Sequence, residues 1–353
     1  MEFHTLTVSD VEKLTDDSVA VTLEVPDDLT EVFAYEAGQH ITLRTVIDGH
    51  DVRRSYSICS GARSGELRVG VRRLDGGVFS TWATTALHPG MTLDAMEPVG
   101  EFILPAATGP RHVAAIAAGS GITPILSILG TVLAGEPDSR CTLVFGNRTA
   151  SSIMFLEELE GLKDRYTDRF HMVHILSREP NANPMFSGRI DRGKLNGLFD
   201  SLIDPLAVDE WYLCGPYDVL LTAQTVLSDR GVRPDRVHDE LFFAGPLDAS
   251  SLPPEPASPG GFATVTFTLD GRASVVKVDP AGPSILDHAL GVRGELPFSC
   301  KGGACATCKA RLIQGHIRMD KNWALVPQEI EAGLILTCQS HPTTDTVVLD
   351  YDV

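Results

Sequence analysis

The chain has 353 residues, enough for two or three domains of ordinary size. Hydrophobic residues make up 43% and charged residues 22%, a globular composition that excludes a disordered or fibrous chain. With 29 basic and 47 acidic residues the formal net charge is −18, which argues against binding to nucleic-acid phosphates or to anionic lipid.

The N-terminus, MEFHTLTVSD, lacks the basic start, apolar segment and cleavage site of a signal peptide. Residues 113–135 carry no charge and are long enough to cross a bilayer. Glycines and Pro124 interrupt this stretch, so it predicts a buried strand, a Gly-rich turn and a helix instead. We therefore expect a cytoplasmic protein whose cysteines stay reduced unless they hold a metal.

Residues 1–105 are predicted to form an antiparallel β-barrel. Short alternating apolar runs at 18–25, 39–47 and 66–74 are separated by turn-forming residues. A predicted strand then carries a cation, an aromatic ring and two hydroxyls, which together suit a flavin nucleotide: Arg54, Ser55, Tyr56 and Ser57.

A Gly-rich segment at 76–81 leads into a predicted helix and is suited to bind a pyrophosphate. Its residues from the second glycine onward are Gly77, Val78, Phe79 and Ser80. An ordinary loop turn is the alternative for this segment, and a half-buried strand position is the alternative for Tyr56.

Residues 106–244 are predicted to form a doubly wound α/β domain with a parallel sheet, because strands and helices alternate. The predicted strands cover 112–118, 141–147, 170–177 and 210–215, and the predicted helices cover 152–166 and 217–231.

Two turns in this domain are suited to bind a dinucleotide. The first follows a strand and opens a helix, as a pyrophosphate site requires, and it contains Gly119, Gly121, Thr123 and Pro124. The second ends a later strand and contains Cys214, Gly215 and Pro216. Doubly wound sheets bind ligands at the carboxyl ends of their strands, so we expect both turns at one site.

Residues 245–261 contain five prolines and three serines, which predicts a semi-rigid linker. It separates residues 262–353 as a small C-terminal domain. The charge divides unevenly: residues 1–245 carry 21 basic and 35 acidic residues, a net of −14, whereas residues 263–353 carry 8 and 10, a net of −2.

Four of the seven cysteines lie in that C-terminal domain, at Cys300, Cys305, Cys308 and Cys338. Their C-x4-C-x2-C…C spacing is that of plant-type [2Fe–2S] sites. A structural zinc site is the alternative, although zinc sites usually pair short knuckles on both sides; four reduced structural cysteines are a further alternative. The other three, Cys59, Cys141 and Cys214, are predicted to be buried thiols.

These motifs occur in an order that resembles the ferredoxin–NADP reductase superfamily, in its oxygenase-reductase branch with a fused [2Fe–2S] domain. The resemblance covers essentially the whole chain, including RRSYSIC (53–59), AIAAGSGITPIL (115–126) and PFSCKGGACATCKA (297–310). It implies an FAD-binding barrel, an NAD(P)-binding domain and a plant-type ferredoxin domain of the β-grasp fold. It further implies a reductase that passes electrons from NADPH through FAD and the cluster to a di-iron oxygenase of phenylacetate degradation.

The resemblance also implies roles for single residues. The barrel residues named above, with Val71, would hold FAD; Thr123 would lie between flavin and nicotinamide, and Cys214 near the nicotinamide ring. Glu240 and Phe242 resemble the segment that closes the flavin site. A Ser-Arg pair, Ser177 and Arg178, resembles the 2′-phosphate site of NADPH, and Asn147 and Arg148 would add to the adenosine pocket.

Several alternatives remain open from the sequence. Arg178 could be a solvated residue beside Glu179, and NADH could replace NADPH. The electron acceptor could be a Rieske-type aromatic-ring or steroid hydroxylase, because the same architecture serves those systems. A non-catalytic redox sensor is the alternative outside the enzymes, although every hydride-transfer motif is retained. No acid–base dyad is evident, and we predict no catalytic residue beyond the cofactor sites.

Overall fold

The computed structural model describes residues 3–243, 261–269, 271–294 and 296–353. The chain divides into two compact units, residues 1–245 and 246–353. Of the predicted linker only Gly261 falls within the described residues, so the prediction of a linker over 245–261 lies outside them.

The first sheet is antiparallel and six-stranded, in the order β4-β3-β6-β1-β2-β5. An isolated bridge between Ile58 and Val69 connects the two ends of this order, so the sheet curls round on itself. This half-barrel confirms the antiparallel β-barrel prediction. Its strands are β1 (Phe3–Thr15), β2 (Ser18–Glu24), β3 (His40–Ile47), β4 (His50–Ser57), β5 (Leu67–Arg72) and β6 (Thr92–Met96), and it carries helix α1 (Val78–Thr85).

Alternation along these strands explains where the cores form. On β2, Val19 and Val21 point into the half-barrel core. Ala20, between them, points the other way and belongs to the core of the next domain. One strand therefore serves two cores, because its successive side chains face opposite sides.

The second sheet is parallel and five-stranded, in the order β11-β10-β7-β8-β9, which confirms the α/β prediction. Its strands are β7 (His112–Ala118), β8 (Arg140–Asn147), β9 (Phe170–Leu176), β10 (Glu210–Pro216) and β11 (Val237–Phe243). The helices are α2 (Ile122–Gly135), α3 (Leu156–Arg165), α4 (Arg192–Ser201) and α5 (Tyr217–Asp229). Each face of the sheet has its own apolar cluster, as two-sided burial requires.

Two element boundaries in the second domain differ from the sequence predictions. The helix predicted over 152–166 begins only at Leu156. Residues 150–152 form a 3₁₀ turn closed by a capping box, and Phe155 has a left-handed backbone, with φ of 59°. Strand β9 ends at Leu176, so Ser177 and Arg178 lie just beyond it.

The apolar stretch 113–135 is divided as predicted into β7, a 3₁₀ turn and α2. None of the helices in the described part of the chain is long and apolar enough to span a membrane.

The second unit is built on a five-stranded mixed sheet in the order β13-β12-β18-β14-β16. Only β12 and β18 run parallel to each other. The strands are β12 (Ala263–Leu269), β13 (Arg272–Val278), β14 (Lys309–Gln314), β16 (Leu334–Leu336) and β18 (Thr346–Asp350), with a separate pair β15 (Ile317–Met319) and β17 (Ser340–Pro342). Helices α6 (Ile285–Leu290) and α7 (Pro327–Glu331) complete the unit.

Candidate functional site

The residues predicted to hold a flavin come together where β4 meets α1. The Tyr56 and Phe79 rings lie 5.4 Å apart, so they join the end of the strand to the first turn of the helix. Gly77 caps α1, and the Ser80 hydroxyl accepts a hydrogen bond from the Leu74 amide at 3.1 Å. The free N–H groups of this helix start can bind an anionic group.

Not every predicted flavin residue has accessible surface. Val71 is fully buried in the half-barrel core and Phe79 is 1% exposed, so both lie behind the residues that a ligand could reach. Arg54, Ser55 and Tyr56 are partly exposed along β4. The Arg54 guanidinium donates to the Arg53 carbonyl at 2.6 Å, which fixes its direction.

A polar group lies where β11 meets this pocket. The Ser57 hydroxyl donates to one oxygen of the Glu240 carboxyl at 3.3 Å, and His40 Nδ1 lies 4.0 Å from the other. Burial raises the pKa of Glu240 to about 8 and lowers the pKa of His40 to about 4. At neutral pH the carboxyl is therefore protonated and the imidazole is neutral, so the contact is not an ion pair.

Sequence reasoning found Ser57 and Glu240 but missed His40. The signal was weak, since a lone histidine at the start of a strand has no motif around it. Gly100 leaves room for the imidazole: a Cβ at this glycine would lie 2.9 Å from His40 Nδ1, and its φ is +122°. Phe242, two residues after Glu240, packs against the apolar cluster shared with α2.

The first predicted nucleotide turn lies between β7 and α2 as a 3₁₀ turn, Gly119–Gly121. Gly119 has φ of +57°, and a Cβ at Gly121 would lie only 2.3 Å from the Cys214 carbonyl oxygen. The chain needs glycine here because the ends of β7 and β10 approach without side chains between them. The structure thus brings the Gly119–Pro124 segment to the Cys214–Pro216 segment, as the doubly wound topology predicts.

Arg72, at the end of β5, is a second residue that sequence reasoning missed. Its Nη1 would lie 3.4 Å from a Cβ at Gly119, so the guanidinium borders the glycine turn. Asp17 orients it, accepting from Nε at 3.0 Å. The only feature of the sequence that could have indicated Arg72 was its position as a basic residue at the end of a predicted barrel strand.

The remaining nucleotide candidates lie at the carboxyl ends of β8 and β9. The Ser177 and Arg178 amides donate to the Asn147 and Arg148 carbonyls at 2.8 Å each, which holds the two segments side by side. Glu179 accepts from the Ala150 amide at 2.8 Å.

Within the described part of the chain, no carboxylate pairs with Arg148 or Arg178, so both exposed guanidinium groups can bind a phosphate. The Asn147 amide, 7% exposed, has no hydrogen-bond partner among the described residues.

The thiol and hydroxyl predicted near the nicotinamide are both buried. Cys214 has no exposed surface, and burial raises the pKa of its thiol well above the ordinary value. Thr123, 1% exposed, donates from Oγ1 to the Ser120 carbonyl at 3.1 Å. Cys59 and Cys141 are buried thiols with raised pKa values, as predicted.

In the second unit the four clustered cysteines lie together as two pairs, Cys300 with Cys305 and Cys308 with Cys338. The hydrogen bond to Cys305 lowers the pKa of Cys300 to about 5, and the one to Cys308 lowers the pKa of Cys338. Within residues 3–243, 261–269, 271–294 and 296–353, no three His, Cys, Asp or Glu side chains are placed to share one metal ion. Four cysteines with this spacing match the all-cysteine ligand set of a plant-type [2Fe–2S] cluster.

The cysteine loop also presents donors to its sulfurs. The Gly302 amide donates to Cys300 Sγ at 3.3 Å, and the Thr307 hydroxyl donates to Cys305 Sγ at 3.1 Å. Lys301 and Ala306 have left-handed backbones, with φ of 49° and 52°, so the loop turns tightly. Donors directed at sulfur stabilise thiolate and sulfide charge, and the loop therefore fits an iron–sulfur cluster.

Comparison with known families and proteins agrees with this geometry. Residues 5–103 match the oxidoreductase FAD-binding domain, residues 115–224 the oxidoreductase NAD-binding domain, and residues 267–343 the 2Fe-2S iron–sulfur cluster binding domain. The chain therefore binds FAD, a pyridine nucleotide and a [2Fe–2S] cluster.

Whole-chain relatives carry the same three parts. The chain is 42% identical over 351 residues to one of the subunits of 1,2-phenylacetyl-CoA epoxidase of Escherichia coli K12, covering 99% of this chain and 98% of that protein. It is 32% identical over 359 residues to the ferredoxin reductase component of 3-ketosteroid-9-alpha-monooxygenase of Rhodococcus rhodochrous, covering 98% and 96%. Phthalate dioxygenase reductase shares the fold, with a TM-score of 0.67 at 24% identity over 99% and 98% of the two chains.

Proposed function

The chain belongs to the NAD(P)H-dependent reductase components of oxygenases, and on this premise we propose that it delivers electrons from NADPH to a di-iron oxygenase that epoxidises phenylacetyl-CoA. The observation that supports this most is the 42% identity to a component of 1,2-phenylacetyl-CoA epoxidase, which extends over nearly the whole of both chains. An oxygenase as electron acceptor follows from the family, and its di-iron type and substrate are the proposed part.

FAD accepts the two electrons of a hydride and releases them singly to a cluster that takes one, at about −400 mV for plant-type clusters. In the proposed scheme Arg54, Tyr56 and Ser57 hold the flavin. The start of α1, at Gly77, Val78, Phe79 and Ser80, would bind its pyrophosphate through backbone N–H groups, with the Phe79 ring packed behind them. The protonated Glu240 carboxyl has one O–H group, which can donate a hydrogen bond into the pocket or to the Ser57 hydroxyl. In this form it adds no negative charge beside the flavin.

The pyridine nucleotide is proposed to bind across the strand ends of the second sheet. Its pyrophosphate would lie on the Gly119–Gly121 turn beside Arg72, and Thr123 and Cys214 would border the nicotinamide. Since Cys214 is a buried neutral thiol, it excludes water and adds no charge there. Ser177 and Arg178 would bind the 2′-phosphate, with Asn147 and Arg148 at the adenosine, which favours NADPH over NADH.

Reconstitution tests the proposal directly. The holoprotein is combined with the oxygenase component of phenylacetyl-CoA epoxidase, and NADPH oxidation is followed together with formation of the epoxide. We expect product to form in proportion to the NADPH consumed. A parallel reaction contains the oxygenase of 3-ketosteroid-9-alpha-monooxygenase instead. Efficient coupling there, without epoxide formation in the first reaction, would reject phenylacetyl-CoA epoxidase as the partner.

A further inference from the structure

The FAD-binding and NAD-binding parts meet along β5, and the contact there is unusually close. A Cβ at Gly70 would lie 2.5 Å from Thr123 Cγ2 and 3.1 Å from two ring atoms of Phe155. Ala20 pairs with Gly70 across β2 and β5 and packs in the same apolar cluster as Phe155. The half-barrel thus presents two small residues, Gly70 and Ala20, where the other domain presents a phenyl ring.

Phe155 is held in an unfavourable conformation at this contact. Its φ of 59° is left-handed, which bulky residues rarely adopt, yet its side chain is only 2% exposed. Residues in such conformations persist where the surrounding structure fixes them, and they concentrate at functional sites. Because the left-handed residue lies directly before α3, it turns the ring toward β5 instead of letting the helix start earlier.

Arg68 also contacts the Phe155 ring. Its guanidinium carbon lies 5.2 Å from the Phe155 ring centroid, within cation–π distance. The same guanidinium donates to Glu12 on β1 and, at 2.8 Å, to Glu158 on α3. Since Glu12 belongs to the half-barrel and Glu158 to the nucleotide domain, one side chain joins both domains around Phe155.

This contact lies between the two cofactor sites. Gly70 directly follows Val69, which bridges Ile58 at the end of the strand that carries the predicted flavin residues. Thr123 is in the first turn of α2 and is predicted for the nicotinamide. We propose that Phe155, clamped between Gly70 and Arg68, is a positioning residue that sets the distance between the nicotinamide and flavin sites and so the rate of hydride transfer. The inference rests on the proposed use of these two sites.

Hydride transfer is sensitive to such spacing, because displacements of about 1 Å can lower a rate by roughly a hundredfold. Substitution of Phe155 should affect different measured quantities from substitution of a residue that binds the nucleotide. Phe155 is buried and contacts neither predicted phosphate site, so its loss should change the rate of hydride transfer and leave nucleotide affinity nearly unchanged.

The experiment compares Phe155→Ala with Phe199→Ala in the FAD-loaded full chain. Phe199 is a matched control: it lies on α4 in the same domain and is 6% exposed, but it packs on the opposite face of the sheet. Stopped-flow measurements give the rate of flavin reduction by NADPH, and titration with NADP⁺ gives the dissociation constant. We expect at least about a tenfold slower reduction in Phe155→Ala, with affinity within about twofold, and an unchanged rate in Phe199→Ala.

Two further readouts do not depend on turnover. The charge-transfer absorbance between NADPH and flavin should weaken in Phe155→Ala alone. Without nucleotide, hydrogen exchange should rise at the amides of residues 67–72 and 156–159 in that variant and not in Phe199→Ala. If Phe155→Ala does not fold, the same comparison is made between Phe155→Leu and Phe199→Leu.

Equal rates of flavin reduction in the two variants would overturn the clamp. That failure is distinct from failure of the proposed function, which would appear as no flavin reduction by NADPH or NADH in the unaltered protein.

Discussion

The two units of the chain hold their cofactors by different chemistry. The flavin and nucleotide sites proposed for residues 3–243 are made of glycine turns, helix starts and strand ends, where each group would contribute a small part of the binding energy. The cluster site proposed for residues 261–353 depends on four cysteines on one loop and one following turn. Single substitutions in the first unit should therefore weaken cofactor binding partially. Substitution of one cluster cysteine in the second unit should abolish it.

The charge differs between the units in a related way. Residues 1–245 carry a net charge of −14 and residues 263–353 a net of only −2. An acidic surface cannot bind phosphates by general attraction, so we expect the first unit to rely on local donors: helix N–H groups and the guanidinium groups of Arg72, Arg148 and Arg178. The proposed ligands of the second unit are cysteine thiolates, so its cofactor would require no such compensation.

The largest expected effect is in the second unit. Replacement of one predicted ligand, Cys305→Ser, should abolish cluster assembly and electron delivery to the oxygenase. Flavin bleaching by NADPH should persist, because no flavin or nucleotide residue is altered. Absorbance at the flavin and cluster bands measures both, and Cys59→Ser, outside the cluster, is the control. If flavin bleaching were also lost in a folded Cys305→Ser protein, serial transfer through separate sites would be wrong.

The next effect concerns backbone contact in the first unit. In Gly121→Ala the new Cβ would meet the Cys214 carbonyl at 2.3 Å, so the ends of β7 and β10 must separate. We expect a loss of about 1–3 kcal/mol of stability, together with weaker binding of NADP⁺. Gly130→Ala is the matched control in the same helix region, since nothing lies within 4 Å of its Cβ position. It should be neutral or stabilising by about 0.5–1 kcal/mol; thermal unfolding measures both.

Local features of the chain could be predicted from the sequence, whereas contacts between distant segments could not. The cysteine spacing and the glycine turns are short patterns whose chemistry is fixed by neighbouring residues. His40 beside Glu240 and Arg72 beside Gly119 join segments far apart in the chain, and no local pattern encodes such pairs.

The prediction of where α3 starts was wrong for a physical reason. Phe155, directly before α3, has a left-handed backbone and is only 2% exposed, and two atoms of its ring would lie 3.1 Å from a Cβ at Gly70, so a contact with a distant strand fixes the turn before the helix. An apolar run next to a helix-forming segment gave no sign of that turn.

A smaller effect is expected from the exposed guanidinium of the nucleotide site. Arg178→Ala should weaken NADPH use by about 1.5–3 kcal/mol, the value of a hydrogen bond to a charged group. That corresponds to roughly a ten- to hundredfold change in kcat/KM. NADH use should stay nearly the same, because NADH lacks the 2′-phosphate. Steady-state kinetics with both nucleotides decide, and an equal loss with both would contradict the assignment of Arg178 to the 2′-phosphate.

The smallest expected effect is on stability, and it comes from pH and the partly buried Glu240. In the folded protein its carboxyl keeps its proton up to about pH 8, whereas its ordinary pKa is 4.5. Between these values the unfolded state binds fewer protons than the folded state, so this group's contribution to the free energy of unfolding falls as pH rises. His40, with a pKa lowered to about 4, contributes with the opposite sign and only below about pH 6.5.

The interval from pH 6.5 to 8 therefore isolates Glu240. In that interval Glu240→Gln should flatten the decline of unfolding free energy with pH, measured by denaturant titration of the protein without added nucleotide. Glu31→Gln, at an exposed position of the same unit, should keep the decline of the unaltered protein. If Glu240→Gln and the unaltered protein lost stability equally over this interval, the carboxyl would be ionised at neutral pH. The predicted flavin pocket would then carry a negative charge, and the neutral carboxyl proposed there would be wrong.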